Sequence, residues 1–271
     1  ATTEMLASDA FEGRAPGSAG EEKTLAYLTE QFSALGLVPG NPNGTWVQEV
    51  PLVGIAPLPG EGLVVSRQGE TRTLEPGADY VAVTKHVVDE VAVTDAEFVF
   101  VGYGARAPEY DWDDFGDVDV AGKILLFLVN DPPLANIFGG PAMTYYGRWT
   151  YKYEEAARQG ARGALIVHET EPAGYPWSVV RGGWSGEQFS LPPDEGGPPP
   201  AGMVGWISLD VARAVLASAA LDFDELKARA ATRAFNAVET GITVSASVES
   251  AVRTVETKNV VGLIRGTERS E

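Results

Sequence analysis

A chain of 271 residues that is 44% hydrophobic and 9% aromatic holds enough apolar material for one large or two small packed domains, which excludes global disorder. Its formal charge of −18 is spread along the whole length and would repel a phosphate backbone, which argues against nucleic acid as a partner. No cysteine is present, so disulfides, thiolate metal sites and thiol nucleophiles are excluded, and no apolar run reaches the roughly 18 residues of a membrane span.

The first predicted element is a helix over 18–35. Ser18 followed by Glu21 has the spacing of a capping box, in which two unpaired amides are satisfied reciprocally. Leu25, Leu28, Phe32 and Leu35 form one apolar stripe, and Gly36 supplies a left-handed stop. The residues before it, 9–17, read as a loop. A turn cluster at 39–44 precedes a short strand over 46–53, and the Pro/Gly-rich stretch 55–62 is the candidate domain boundary. Strand-like runs follow at 63–67, 80–83, 91–93 and 97–103, with the short alternation of antiparallel sheets.

The pattern then changes. Residues 123–129 form a continuous apolar strand of the kind buried on both faces in parallel sheets. A helix over 151–159, stopped by Gly160, and a second apolar strand over 163–168 complete a strand–helix–strand unit. The region 169–202, with its proline run 198–200, reads as a long loop. Helices are expected at 208–220 and, after the capping pair Asp222 and Glu225, at 223–231. Strands at 241–248 and 259–264 close the chain. The fold class expected is mixed α/β.

Complete catalytic constellations are missing. His86 and His168 stand far apart without a zinc-binding spacing. Trp184-Ser185-Gly186 lacks the first glycine of a nucleophile elbow, and Gly102-Tyr103-Gly104 lacks the rest of a phosphate loop. The acidic run 110–119 fails the calcium-loop spacing and reads as a solvated turn. The segment 143–153 is more distinctive, with four tyrosines, a tryptophan, an arginine and a lysine in eleven residues. Amphipathic aromatics beside arginine suit recognition surfaces; the same residues would also serve as a helix start covering an apolar sheet edge. Arg181 and Trp184 have the same character within the long loop.

Several stretches resemble the zinc-dependent aminopeptidases of the bacterial leucyl aminopeptidase and glutamate carboxypeptidase type. Leu6-Ala-Ser-Asp-Ala-Phe-Glu-Gly-Arg-Ala-Pro-Gly-Ser-Ala-Gly-Glu-Glu22 looks like the family's opening. Val99-Phe-Val-Gly-Tyr-Gly104, Trp112-Asp-Asp114, Val120-Ala-Gly-Lys-Ile124 and Ala156-Ala-Arg-Gln-Gly-Ala-Arg-Gly-Ala-Leu-Ile-Val-His168 are similar to the protease-associated domain inserted in many members. Lys258-Asn-Val-Val-Gly-Leu-Ile-Arg-Gly-Thr267 looks like the return strand to the peptidase domain.

The resemblance implies an N-terminal peptidase segment at 1–53, a protease-associated domain at 54–252 with a β-rich core, a βαβ unit and flanking helices, and a return strand at 253–271. The terminal pieces would belong to an incomplete α/β peptidase domain. It implies two zinc ions in the full-length enzyme, with ligands beyond Glu271, so that this chain would carry no catalytic or metal-ligating residue and be inactive alone. A periplasmic or secreted location follows, although 1–4 lack the features of a signal peptide. By the same resemblance the inserted domain acts as a substrate-binding lid, with Tyr145, Tyr146, Arg148, Trp149, Arg181 and Trp184 as candidates to face a peptide. The alternative readings are a non-enzymatic interaction module and a β-rich carbohydrate binder.

Overall fold

The computed structural model describes residues 2–134, 137–140, 142–193 and 200–266, and the chain forms two compact units. The smaller comprises Ala1–Gly54, Phe189–Pro193 and Arg253–Glu271, and the larger Ile55–Gln188 and Asp194–Val252. Of the proline run, residues 198 and 199 lie outside the described residues, as does Thr267 of the closing motif.

In the smaller unit the expected helix spans Ala19–Ala34, with Ser18 Oγ accepting from Glu21 N at 3.2 Å. The reciprocal half of the capping box is replaced: the Glu21 carboxylate accepts from Gly17 N at 2.5 Å and reaches Thr257 Oγ1 and Lys258 N. The capping glutamate therefore ties the helix start to the returning chain instead of closing a local ring. Gly17 is left-handed, and a Cβ there would stand 2.7 Å from Val255 Cγ1, so both the backbone and the close approach require glycine. Phe32 and Leu37 pack on Gly262, whereas Leu25 and Leu28 are half-buried and Leu35 is 77% exposed. A 3-10 turn Asp9–Phe11 occupies the start of what reads as loop, and a short helix Thr2–Leu6 precedes it.

In the larger unit the sheet order runs from Val238–Val260 through Glu90–Phe100, Ile124–Leu128, Gly163–His168 and Met203–Ser208 to the edge strand Tyr80–Val83. The three steps joining Glu90–Phe100, Ile124–Leu128, Gly163–His168 and Met203–Ser208 are parallel, and the pairings that flank them, with Val238–Val260 and with Tyr80–Val83, are antiparallel. The hairpin Leu63–Arg67 with Glu70–Leu74 adds to Val238–Val260. The class is mixed α/β, as expected.

One pair of expected strands proves continuous, 91–93 merging with most of 97–103 in the strand Glu90–Phe100, while the closing pair 241–248 and 259–264 is redrawn as the long Val238–Val260 and the short Gly262–Leu263. Register shifts between Glu239 and Ile242 and between Val244 and Ala246 let the strand carry polar interruptions without ending. The expected loop 169–202 contains helices Thr170–Ala173 and Trp177–Trp184, the second seated by buried Val180 with partly buried Trp177 and Trp184 on the same apolar cluster. Trp177, Val180 and Trp184 carry helical spacing that the surrounding glycines and prolines obscure.

The central strands are buried on both faces. Leu126, Leu128, Leu165 and Val167 face a core built with the helices Leu209–Ser218 and Phe223–Ala230. Leu125, Phe127, Ala164 and Ile166 face a second core with Tyr153 and Ala156 of the helix Trp149–Arg158. Leu126 is fully buried, so Leu126→Ala is expected to cost about 2–5 kcal/mol through lost transfer energy and a residual cavity. Urea unfolding measures this, and a loss under about 1 kcal/mol would remove the strand from the core.

Candidate functional site

The aromatic segment folds as a 3-10 turn, Tyr145–Gly147, that runs through Arg148 into the helix Trp149–Arg158. Asp131 holds the turn from below, accepting from Thr144 N at 2.8 Å and Thr144 Oγ1 at 2.5 Å. Lys152 is fully buried and donates to Tyr103 O and Asn130 O, each at 2.7 Å, and to Tyr146 O at 3.5 Å. Tyr153 donates its hydroxyl proton to Gly205 O at 2.9 Å, which pins its ring over the sheet. The acidic run is not a fully solvated turn: Asp114 is buried and accepts from Ala105 N and Trp112 Nε1, both at 2.8 Å.

The six candidate residues fall into two groups. Trp149 is 42% exposed and sits edge-on to both Tyr153 and Trp184, with ring centroids at 5.9 Å in each case, and Tyr153 and Trp184 meet at the same distance. Three clefts open around this triad. One of about 360 Å³ runs between the helix and the Lys85, Ala201 and Val204 wall, with Trp149 and Tyr153 lining it. A second, of about 210 Å³, is lined by Arg148, Trp149 and Trp206, whose indole Nε1 is buried without a partner among the described residues. Arg181 and Trp184 line a third, of about 290 Å³, and both stand on the helix Trp177–Trp184 instead of a loop.

Tyr145 and Tyr146 lie apart from that triad, packed edge-on to Tyr151 at 5.7 and 5.0 Å. Tyr145 is 55% exposed and donates to Glu154 Oε2 at 2.8 Å. Tyr146 is half-buried, donates to Glu109 Oε1 at 2.6 Å and packs against Phe138, contacts that brace the turn. Sequence reasoning did not single out Lys85, and it placed Tyr153 in the aromatic segment without making it a candidate. Lys85 follows the strand Tyr80–Val83 with no motif around it, and Tyr153 is legible only as the residue one turn beyond Trp149.

Among the described residues no three His, Asp or Glu side chains gather closely enough to hold an ion. The Nε2 atoms of His86 and His168 face Pro200 O at 2.7 Å and Tyr175 O at 3.0 Å. No helix among the described residues is long and apolar enough to cross a membrane.

No family model matches the chain. No curated protein matches it either. Among solved structures it is similar to an aminopeptidase from Aneurinibacillus sp. strain AM-1, at 21% identity and a TM-score of 0.45, over 97% of this chain and 47% of that one. The chain thus spans about half the length of that protein.

Burial pushes Lys152 down to about 7 and Asp114 up to about 7, each shift being opposed by the other's charge. For Lys152 the contribution to stability is full above the ordinary lysine range and is lost as pH falls through about 7. For Asp114 it is full below the ordinary carboxylate range and is lost as pH rises through about 7. On the alkaline side the lysine governs, so unfolding free energy is expected to rise from about pH 7 to pH 9, by up to about 1.4 kcal/mol per pH unit. Urea titrations at a series of pH values check this, and Lys152→Met should lack the rise.

Proposed function

We propose that this chain is the substrate-binding portion of an exported zinc-dependent aminopeptidase, its larger unit serving as a protease-associated lid that holds peptide against the Trp149 face. The observation that carries the reading is the Trp149–Tyr153–Trp184 triad, a partly exposed aromatic platform on a βαβ unit whose turn is pinned by Lys152 and Asp131. Rigid aromatic anchors beside arginine supply most of the affinity at peptide-binding surfaces, and Arg148 and Arg181 are both exposed beside these rings. Arginine's planar fork suits a peptide carbonyl or terminal carboxylate.

Two further features support the peptidase context. The opening, middle and closing motifs resemble that family in the family's order. In the smaller unit, the stripe of the helix Ala19–Ala34 is only part covered, as a helix that packs on a larger sheet would be. The two zinc ions of such an enzyme do not fit the described residues, so no step of this reading runs through metal here.

Titration of the chain with short apolar peptides should change tryptophan fluorescence. Trp149→Ala should abolish that change while the Tm moves by less than about 2 °C, as suits a partly exposed ring. A lowered Tm with unchanged peptide binding would instead make the triad a cover for the sheet. Binding of folded proteins but not of peptides would favour the non-enzymatic interaction module.

A further inference from the structure

The chain has six lysines, and Lys85 differs from the rest. Lys23, Lys123, Lys227 and Lys258 pair with carboxylates, and Lys152 is surrounded by carbonyls. Lys85 is half-buried, has no hydrogen-bond or ion-pair partner among the described residues, and has its pKa lowered by burial. An ammonium withdrawn from water without compensation is costly, and exposed lysines avoid that cost by extending into solvent.

The backbone around Lys85 is fixed. Thr84 is buried and its Oγ1 accepts from His86 N at 3.0 Å, while the His86 ring reaches Pro200 O at 2.7 Å. Lys85 is thereby held at the wall of the cleft of about 360 Å³, opposite Trp149 and Tyr153, with Ala201 and Val204 completing an apolar lining. That volume lies within the range of small-molecule sites. The other charges there are already engaged: Glu154 accepts from Tyr145 and lies 3.7 Å from Arg158, and Arg158 bonds Glu155 at 2.7 Å. Among the described residues one uncompensated cation remains in a cleft with aromatic and aliphatic walls.

We propose that this cleft binds a small apolar carboxylate, its ring or branched chain against Trp149 and Tyr153 and its single carboxylate on the Lys85 ammonium. The proposal deepens the reading of the Trp149 face as a binding surface by naming the ligand class. Apolar walls supply area-dependent affinity that any hydrophobic body can collect. The lone cation supplies selection, because a neutral analogue leaves the ammonium partly desolvated and unpaired.

Isothermal titration with N-acetyl-L-phenylalanine and its amide tests the assignment on the whole chain. The acid should bind at about 1 mM or tighter and at least about tenfold more tightly than the amide. Lys85→Met, which keeps an unbranched apolar stem, should bring the acid down to the affinity of the amide; Lys85→Arg should keep the preference. Trp149→Ala should weaken both ligands. Equal binding of acid and amide by the unmodified chain, binding of neither, or a preference that survives in folded Lys85→Met would each overturn the proposal. Short apolar peptides that still bind through Trp149 in any of those cases would leave the broader reading standing.

Discussion

A single buried ammonium organises the face on which the functional reading depends. Lys152 draws together Tyr103 O beyond the strand Glu90–Phe100, Asn130 O beyond Ile124–Leu128, and Tyr146 O in the aromatic turn. Removing a lysine from water costs several kcal/mol unless its protons find acceptors, and here three main-chain carbonyls supply them. The same bonds satisfy carbonyls at the ends of two central strands and fix the turn that launches the helix Trp149–Arg158. With Tyr153 anchored on Gly205, the orientation of Trp149 follows from its place at the helix start.

The sheet explains why such a turn can be rigid without being part of a hydrophobic core. Ile124–Leu128 and Gly163–His168 are buried on both faces and pair in parallel, Leu126 opposite Leu165, so the crossover helix must lie across the sheet. Its inner face, Tyr153 and Ala156, joins the core while Trp149 and Glu154 remain at the surface. At the sheet edge Gly205 allows Tyr80–Val83 to approach closely: a Cβ at that position would meet Val81 O at 1.9 Å. That approach brings Lys85, just beyond the edge strand, to the cleft under the helix.

The strand–helix–strand unit was legible because its signals are local: apolar runs of strand length and a glycine at the helix stop. The stop at Gly36 and the Asp222 cap, where Glu225 N meets Asp222 Oδ1 at 2.9 Å, were legible for the same reason. Lys152 was not. Between two tyrosines on an expected helix it reads as a solvated residue, and its burial depends on carbonyls 49, 22 and 6 residues away. Asp114 was misread likewise, because an acidic run gives no sign that one member will turn inward to Ala105 N and the Trp112 indole. The six candidate residues rest on composition and on the family resemblance, neither of which tells an exposed ring from a half-buried one. Trp149 and Tyr146 stand three residues apart and differ in that respect because Tyr146 is folded under the turn against Phe138.

The global charge bears on what such a face can hold. A chain at −18 repels anions at long range, so an anionic ligand is not steered to it as it would be to a basic protein. At physiological ionic strength, however, exposed charges farther than about 8 Å are largely screened, and recognition passes to the groups that line the cleft. There the balance reverses, since Glu154 is engaged by Tyr145 and Arg158 while Lys85 is engaged by nothing among the described residues. A weak long-range field and a partly desolvated local cation together favour selection by contact over capture by attraction. For a surface that must test an apolar body and a carboxylate at once, that places discrimination in the dissociation rate, where the fit of walls and charge is felt.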